Sequence, residues 1–121
     1  MTRHVDSATL LPPRESDLEL DLLFQLKAVG LPAPMRQVQC IPGRRFRFDF
    51  AYSGKGLAIE VNGGTWARQG HSTGRGIARD YEKLNLATLA GWRVLLFTGD
   101  SVRDGSALKM IEKALAKEAS K

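Results

Sequence analysis

The chain has 121 residues, of which 43% are hydrophobic and 26% are charged, a composition typical of one soluble globular domain. Its single cysteine, Cys40, excludes an internal disulfide and a zinc site built from cysteines. Eighteen Lys and Arg residues against thirteen Asp and Glu residues give a net charge of +5. This charge favours a polyanionic partner such as DNA, although many small proteins are mildly basic without one.

The N-terminal segment carries no pattern of a folded element. Residues 1–15 show no periodicity and contain Leu-Pro-Pro, which predicts a flexible tail. Residues 16–121 are predicted to form one domain. No apolar run approaches the length of a membrane span and no signal peptide is visible, so we expect a cytoplasmic protein without a membrane partner.

The first predicted element is a helix that begins near Ser16. Residues 16–19 match the S-x-x-E capping box, in which Glu19 closes the helix N-terminus. An apolar stripe then predicts the buried face, and it comprises Leu22, Leu23, Leu26 and Val29. Gly30, followed closely by two prolines, ends the helix.

Three short strands are predicted next, over residues 36–41, 45–51 and 57–62. The first contains Gln37, which is suited either to reading bases or to facing water. The second alternates, so that one face is predicted to carry Phe46, Phe48 and Phe50 and the other Arg45, Arg47 and Asp49. The third alternates equally well, with Leu57, Ile59 and Val61 on one face and Ala58, Glu60 and Asn62 on the other.

The second half of the chain adds two helices and one strand. A glycine-rich loop over residues 63–76 leads into a helix over residues 77–90, with Ile77, Tyr81 and Leu84 facing inward. A continuous apolar run over residues 92–98 predicts a strand buried on both faces. Residues 99–105 are predicted to turn the chain into a last amphipathic helix over residues 106–119, whose core stripe is Leu108, Ile111 and Leu115.

The predicted order is therefore α-β-β-β-α-β-α. An antiparallel meander of three strands is followed by a helical crossover into a fourth strand, which should lie parallel to one of the first three. We expect an α/β fold with a mixed four-stranded sheet flanked by helices.

Two carboxylates face each other across the hairpin between the second and third strands. A two-residue loop at Gly54-Lys55 and a four-residue loop over residues 53–56 both leave Asp49 directly opposite Glu60. Directly opposed side chains have Cβ atoms roughly 4.5–5.5 Å apart, where like charges repel. A divalent cation converts this repulsion into attraction, and hard oxygen ligands suit Mg²⁺. The alternative is a charge ladder, with Arg45 and Arg47 neutralising the acids.

These residues resemble the PD-(D/E)XK nuclease superfamily, which has the restriction-endonuclease-like fold. The resemblance rests on the order and spacing of RFRFDF at 45–50, IEVNGG at 59–64, DYEK at 80–83 and GWRVL at 91–95, and it covers residues 16–98. Within the superfamily, the chain is most similar to very-short-patch-repair-like endonucleases and small phage nucleases. The cysteines of the repair enzymes' zinc site are absent from this sequence, so their mismatch specificity is not carried over.

The resemblance implies a metal-dependent DNA endonuclease that uses Mg²⁺, with Mn²⁺ as a substitute. Asp49, Glu60 and the backbone carbonyl of Val61 would bind the metal. The lysine of the family's E-x-K motif is replaced here by Asn62, which would contact the attacking water or the phosphate, or is simply a strand-end residue. Lys83 is the candidate to replace the lysine; the alternative is a solvated lysine paired with Asp80.

Further residues have a functional and a plain structural interpretation. Glu19 matches an acid that related nucleases carry near the metal, although the capping box also explains it. His71 would act as a general base or contact a phosphate, unless it is merely exposed. The candidate DNA contacts are Arg47, Trp66, Arg68, Arg75 and Arg79, of which the tryptophan can equally pack over the core.

Two other functions compete with the nuclease hypothesis. Because the motif lysine is missing, the chain is alternatively an inactive nuclease fold that serves as a DNA- or protein-binding accessory module. A Holliday-junction resolvase would share the chemistry but predicts a homodimer, since paired incisions need two active sites. The resemblance to phage nucleases places the expected activity in a bacterial or phage-infected cell.

Overall fold

The computed structural model describes residues 15–61 and 74–117, with side chains described for residues 17–61 and 76–117. The helices and strands in chain order are α1 (Glu15–Ala28), β1 (Met35–Val38), β2 (Phe48–Tyr52), β3 (Leu57–Val61), α2 (Gly74–Leu89), β4 (Arg93–Phe97), α3 (Gly99–Arg103) and α4 (Ser106–Ala116). No helix in these ranges is long and apolar enough to cross a membrane. The predicted tail lies almost entirely outside the described residues and stays a prediction.

The four strands form one mixed sheet in the order β1-β2-β3-β4. β1, β2 and β3 are antiparallel neighbours, and β4 lies parallel to β3 after the α2 crossover. This confirms the predicted α/β class, the antiparallel meander and the parallel fourth strand. It leaves β1 and β4 as the two edges of the described sheet.

Each face of the sheet carries its own apolar cluster. On one face α1, α3 and α4 pack on the sheet, with Leu22, Ile111 and Val102 against Phe50 and Ile59. On the other face α2 covers a smaller cluster, made of Cys40, Ile41, Phe48, Ala51, Ala58 and Ala87. The stripe predicted for the last helix is confirmed, because Ile111 is fully buried and both leucines pack on the larger cluster.

The hairpin between β2 and β3 has the predicted register. Phe50 pairs with Ile59 and Tyr52 with Leu57. Residues 53–55 form one turn of 3₁₀ helix, and Gly56 closes it in the left-handed conformation with φ 60°. Of the two loops that the sequence allows, the four-residue loop is therefore the one that forms. Continuing the register by one residue places Asp49 opposite Glu60.

The predicted alternation of the second strand is wrong at its start. Residues 44–47 are not in a strand, and β2 begins at Phe48. Phe46 and Phe48 pack with the smaller cluster, whereas Phe50 packs with the larger one. The neighbouring strand is irregular at the same level, because Gln37 has φ 52° between the paired residues Arg36 and Val38. The change of side-chain alternation in β2 therefore coincides with this left-handed residue opposite Asp49.

Three burial predictions are also corrected. β4 is not buried on both faces, because only Phe97 of its five residues is buried and Leu96 is 49% exposed. Val29 lies beyond the end of α1, and it is exposed. Tyr81 is 61% exposed, because α2 turns Leu84 and Ala87 toward the sheet instead.

The segment after β4 contains a helix that the sequence pattern does not predict. The turn predicted over residues 99–105 is wrong, because α3 occupies most of this segment. The side chain of Thr98 caps α3 by accepting a hydrogen bond from the N–H of Ser101 at 3.2 Å. α3 is short, and it forms because Val102 is fully buried in the larger cluster.

Candidate active site

Asp49 is held in place by the main chain of β3. Its carboxylate is only 8% exposed, and Oδ2 accepts a hydrogen bond from the N–H of Val61 at 2.6 Å. This bond forms just beyond the last antiparallel pair of β2 and β3, in which Phe50 faces Ile59. A carboxylate that accepts a backbone N–H has a fixed orientation. The register of the hairpin therefore positions Asp49 beside the end of β3.

Glu60 forms an ion pair with a lysine of the crossover helix α2. The Nζ of Lys83, on α2, donates to Oε1 of Glu60 at 2.9 Å. The same ammonium lies 4.4 Å from the centroid of the Phe48 ring, in cation–π contact. Lys83 thus contacts Glu60 rather than Asp80, the partner that helical spacing alone would favour. Helix α2 therefore places Lys83 beside the Glu60 carboxylate, which lies opposite Asp49.

The charge around Glu60 is not balanced. Burial raises the pKa of the Glu60 carboxyl above its ordinary value, and repulsion from Asp49 and Asp80 raises it further. The hydrogen bond and positive charge of Lys83 oppose these effects without cancelling them. The charged form of this carboxylate is therefore less stable, relative to its protonated form, than it is in water.

Glu19 reaches the same place from α1. It is 6% exposed, and its Oε1 accepts hydrogen bonds at 3.3 Å from the side chains of Arg36 and of Gln37. Because α1 begins at Glu15 and this carboxylate is engaged by β1, the capping-box interpretation of Glu19 is not what the structure shows. Gln37, which the sequence suits to base reading or to solvent, instead supports Glu19.

Asp49 lies close enough to raise the pKa of both Glu19 and Glu60. Burial is the main cause that raises the pKa of Glu19, followed by repulsion from Asp49; a side-chain hydrogen bond with Asp49 adds to it, and Arg36 opposes it. Asp49 therefore repels a carboxylate on either side of it, one from α1 and one from β3. Arg36 lies beside Glu19 and Lys83 lies beside Glu60, so each of these two acids has one cationic neighbour.

The alternative arginine ladder does not form. Arg45 and Arg47 are exposed, and within the described ranges neither pairs with Asp49 or Glu60. In the same part of the chain, no three His, Cys, Asp or Glu side chains are grouped closely enough to hold a metal by themselves. A cation here would need its two carboxylates to be completed by carbonyl oxygen and water, as Mg²⁺ sites commonly are.

A cleft opens beside these groups, between α2 and the sheet. Its volume is about 290 Å³, and its polar side is formed by Glu60, Asp80 and Lys83. Its apolar side is formed by Phe48, Tyr81, Leu84 and Leu96. Tyr81 and Leu96, whose predicted burial the structure corrects, therefore line the approach to Glu60.

The remaining predicted site residues divide into two groups. Asn62, Trp66, Arg68 and His71, together with the side chain of Arg75, lie outside the described residues, so their roles stay predictions. The others are described and exposed, namely Arg47 and Arg79. Arg79 lies in a surface depression with Arg44 and Arg45, a grouping that no sequence pattern predicts.

No family model, curated protein or solved structure matches this chain. The chemistry of the site therefore has to be inferred from the residues that the fold brings together.

Proposed function

We propose that the chain is a magnesium-dependent DNA endonuclease of the PD-(D/E)XK type, with the restriction-endonuclease-like arrangement of its α/β core. The observation that carries the proposal is the meeting of Asp49, Glu60 and Lys83. Strand register brings the first two together, and α2 supplies the third. Two acids from adjacent strands with one lysine is the constellation that the sequence motifs imply.

The donor chemistry of the site fits Mg²⁺. Asp49 and Glu60 offer hard oxygen ligands, and the carbonyl of Val61 lies on the same strand end. Burial, together with repulsion from Asp49, raises the pKa of Glu60 and of Glu19, and a dication would relieve the repulsion. When bound, the metal would supply a hydroxide at neutral pH and stabilise negative charge on the scissile phosphate.

The remaining catalytic roles would be taken by residues of this chain. Asp49 and Glu60 would bind the metal, and Glu19 places a further carboxylate beside Asp49 from α1. Lys83 lies where its ammonium can move from Glu60 to a phosphate oxygen and stabilise the charge that develops there. Asn62 is proposed to orient the attacking water. The net charge of +5 favours binding of the DNA backbone.

The decisive experiment is cleavage of supercoiled plasmid and of branched DNA with Mg²⁺, with Mn²⁺ and with EDTA. Asp49→Asn and Glu60→Gln each remove a ligand charge while keeping the shape, so we expect cleavage to fall at least about 100-fold. The matched control is Asp100→Asn, an 89% exposed carboxylate on α3, which should leave cleavage unchanged. Circular dichroism would check that every variant is folded.

Metal-dependent cleavage that survives both Asp49→Asn and Glu60→Gln would overturn the proposal. Sedimentation of the protein with and without DNA would separate the endonuclease from a junction resolvase, which needs a homodimer.

A second function has one specific observation in its favour. Asn62 stands where the family's motif lysine is expected, and Lys83 is ion-paired with Glu60. An inactive accessory module that binds DNA or protein would keep this arrangement as a structural pair. DNA binding without cleavage of any substrate would favour that function over the nuclease.

A further inference from the structure

An open depression on the surface gathers three arginines from two separate parts of the chain. It is lined by Gly43, Arg44, Arg45, Phe46 and Arg79. The first four belong to the turn and the irregular segment before β2, and the last belongs to α2. We call these residues the arginine depression.

We propose that the arginine depression binds a phosphate of the DNA backbone, beside the proposed cleavage site. This inference rests on the proposed function and extends it, because it assigns a part of the substrate to residues outside the acid cluster. An arginine guanidinium presents donors in a rigid fork that matches phosphate oxygens.

The positive charge of the arginine depression is largely uncompensated. Arg44 pairs with Glu82 at 3.0 Å, and this pair is exposed on both sides. Among the residues that the structure describes, Arg45 and Arg79 form no ion pair. Like charges gathered in one depression repel each other, whereas an anion bound between them turns the repulsion into attraction. The charge pattern therefore favours an anionic ligand.

The depression is also partly preorganised. The N–H of Arg44 donates to the carbonyl of Ile41 at 3.2 Å, which closes the turn, and Gly43 adopts φ 76° within it. The guanidinium carbon of Arg44 lies 4.8 Å from the centroid of the Phe46 ring. Phe46 itself packs on the smaller apolar cluster. A stacked guanidinium loses less freedom on binding than a free one, which favours affinity.

The position of the depression fits a backbone that also passes Lys83. Arg79 precedes Lys83 by four residues on α2, which is about 6 Å along the helix axis. Phe46 and Phe48 connect the two places from the other side, since Phe48 lines the cleft of Glu60. The bound phosphate would therefore lie close to the scissile one on the same DNA backbone.

The test is the binding of a fluorescent DNA duplex, measured by anisotropy in EDTA over a series of salt concentrations. The variant is Arg45→Gln with Arg79→Gln, and the matched control is Arg103→Gln with Lys109→Gln, which removes the same charge from exposed positions on α3 and α4. We expect the depression variant to bind about tenfold more weakly on every DNA sequence and to lower the salt slope by about 1. The control should retain most of the affinity.

Equal affinity of the depression variant and the control would overturn the inference. A loss of RNA binding with unchanged DNA binding would also overturn it. Inorganic phosphate at millimolar concentration can compete with DNA for the protein. If it competes equally well in the depression variant, the anion binds elsewhere, which would count against the inference. DNA binding is measured without metal, so this test can be interpreted even if the protein does not cleave DNA. If the depression variant of a cleaving enzyme binds DNA normally, the phosphate site is rejected and the nuclease proposal is not.

Discussion

Glu60 is a site residue whose pKa is shifted both by burial and by neighbouring charges. Burial, and then Asp49 and Asp80, raise its pKa above the ordinary value of 4.5, although Lys83 opposes them. The folded state therefore binds this proton more tightly than the unfolded state does. The favourable contribution is complete below the ordinary pKa and is lost as the pH rises through the raised pKa.

Glu60→Gln provides the measurement of this effect. In EDTA, the free energy of unfolding of the wild type minus that of the variant should fall as the pH rises above about 4.5, and then become constant. In a Lys83→Met background the fall should extend to higher pH, because the opposing cation is gone. Chemical denaturation at several pH values gives these differences, and a difference that increases with pH would contradict the assignment.

Gln37 is the residue that carries backbone strain at the site. Its φ of 52° places a residue with a side chain in the left-handed region, and its amide donates to Glu19. Strain of this kind commonly costs about 1–3 kcal/mol and persists where the surroundings impose it. Its position next to the acid cluster suggests that the strain serves the site.

Gln37→Gly should separate stability from activity. Glycine accepts the left-handed conformation, so we expect the free energy of unfolding to rise, by about 1 kcal/mol at most. Cleavage should fall because the support of Glu19 is lost. The control is Gln37→Ala, which removes the same amide, retains the strain and should not be stabilised. A Gly variant that is less stable than the Ala variant would show that the backbone here is unstrained.

At the scale of the elements, Arg93 connects strand β4 with the hairpin turn and with helix α4. It lies on the edge strand β4, and its guanidinium donates to the carbonyl of Lys55 in the hairpin turn at 2.9 Å and to that of Ala114 on α4 at 3.0 Å. Its Nε is the buried side-chain atom without a partner in the described part of the chain. The two charged hydrogen bonds are therefore partly offset by one unmet donor.

Arg93→Met should destabilise the protein by about 2 kcal/mol, because it leaves two carbonyls without their charged donor while removing the unmet Nε. The matched control is Arg103→Met, which loses only an exposed pair with Asp100 and should change stability by less than about 0.5 kcal/mol. Urea denaturation of both variants makes the comparison. Equal stabilities would mean that β4 and α4 are held by apolar packing alone.

Across the molecule as a whole, the two apolar clusters divide the sheet between a large and a small core. Cys40 belongs to the small core, where it is 6% exposed and its carbonyl accepts from Nε1 of Trp92 at 3.0 Å. Burial raises the pKa of the Cys40 thiol, and Lys83 opposes this. The thiol is therefore expected to become reactive only when the small core opens.

Because the chain has one cysteine, thiol labelling reports on that opening alone. Near pH 8 we expect the native thiol to react at least about 100-fold more slowly than the same chain in denaturant. Ala87→Gly, which destabilises α2 where it packs on the small core, should increase the labelling rate of the native protein. A native rate equal to that of the denatured chain would mean that the small core is not closed.

The hairpin register, the parallel fourth strand and the main helical stripes could be predicted from the amino-acid sequence. These features follow from local rules, because side chains alternate along a strand and a short turn fixes which residues of a hairpin face each other. The pairing of Asp49 with Glu60 therefore follows from residue order alone. The same local rules failed at Phe48, where Gln37 interrupts the ladder in the adjacent strand.

Which distant residues share the site depends instead on how the elements pack together. Glu19 meets Asp49, Lys83 meets Glu60, and Arg79 meets Arg45, in each case across elements that are far apart in the chain. The same packing makes β4 an edge and holds α3 in place through Val102. Periodicity states which face of an element is apolar, whereas the partner of that face is set by how all the elements pack at once.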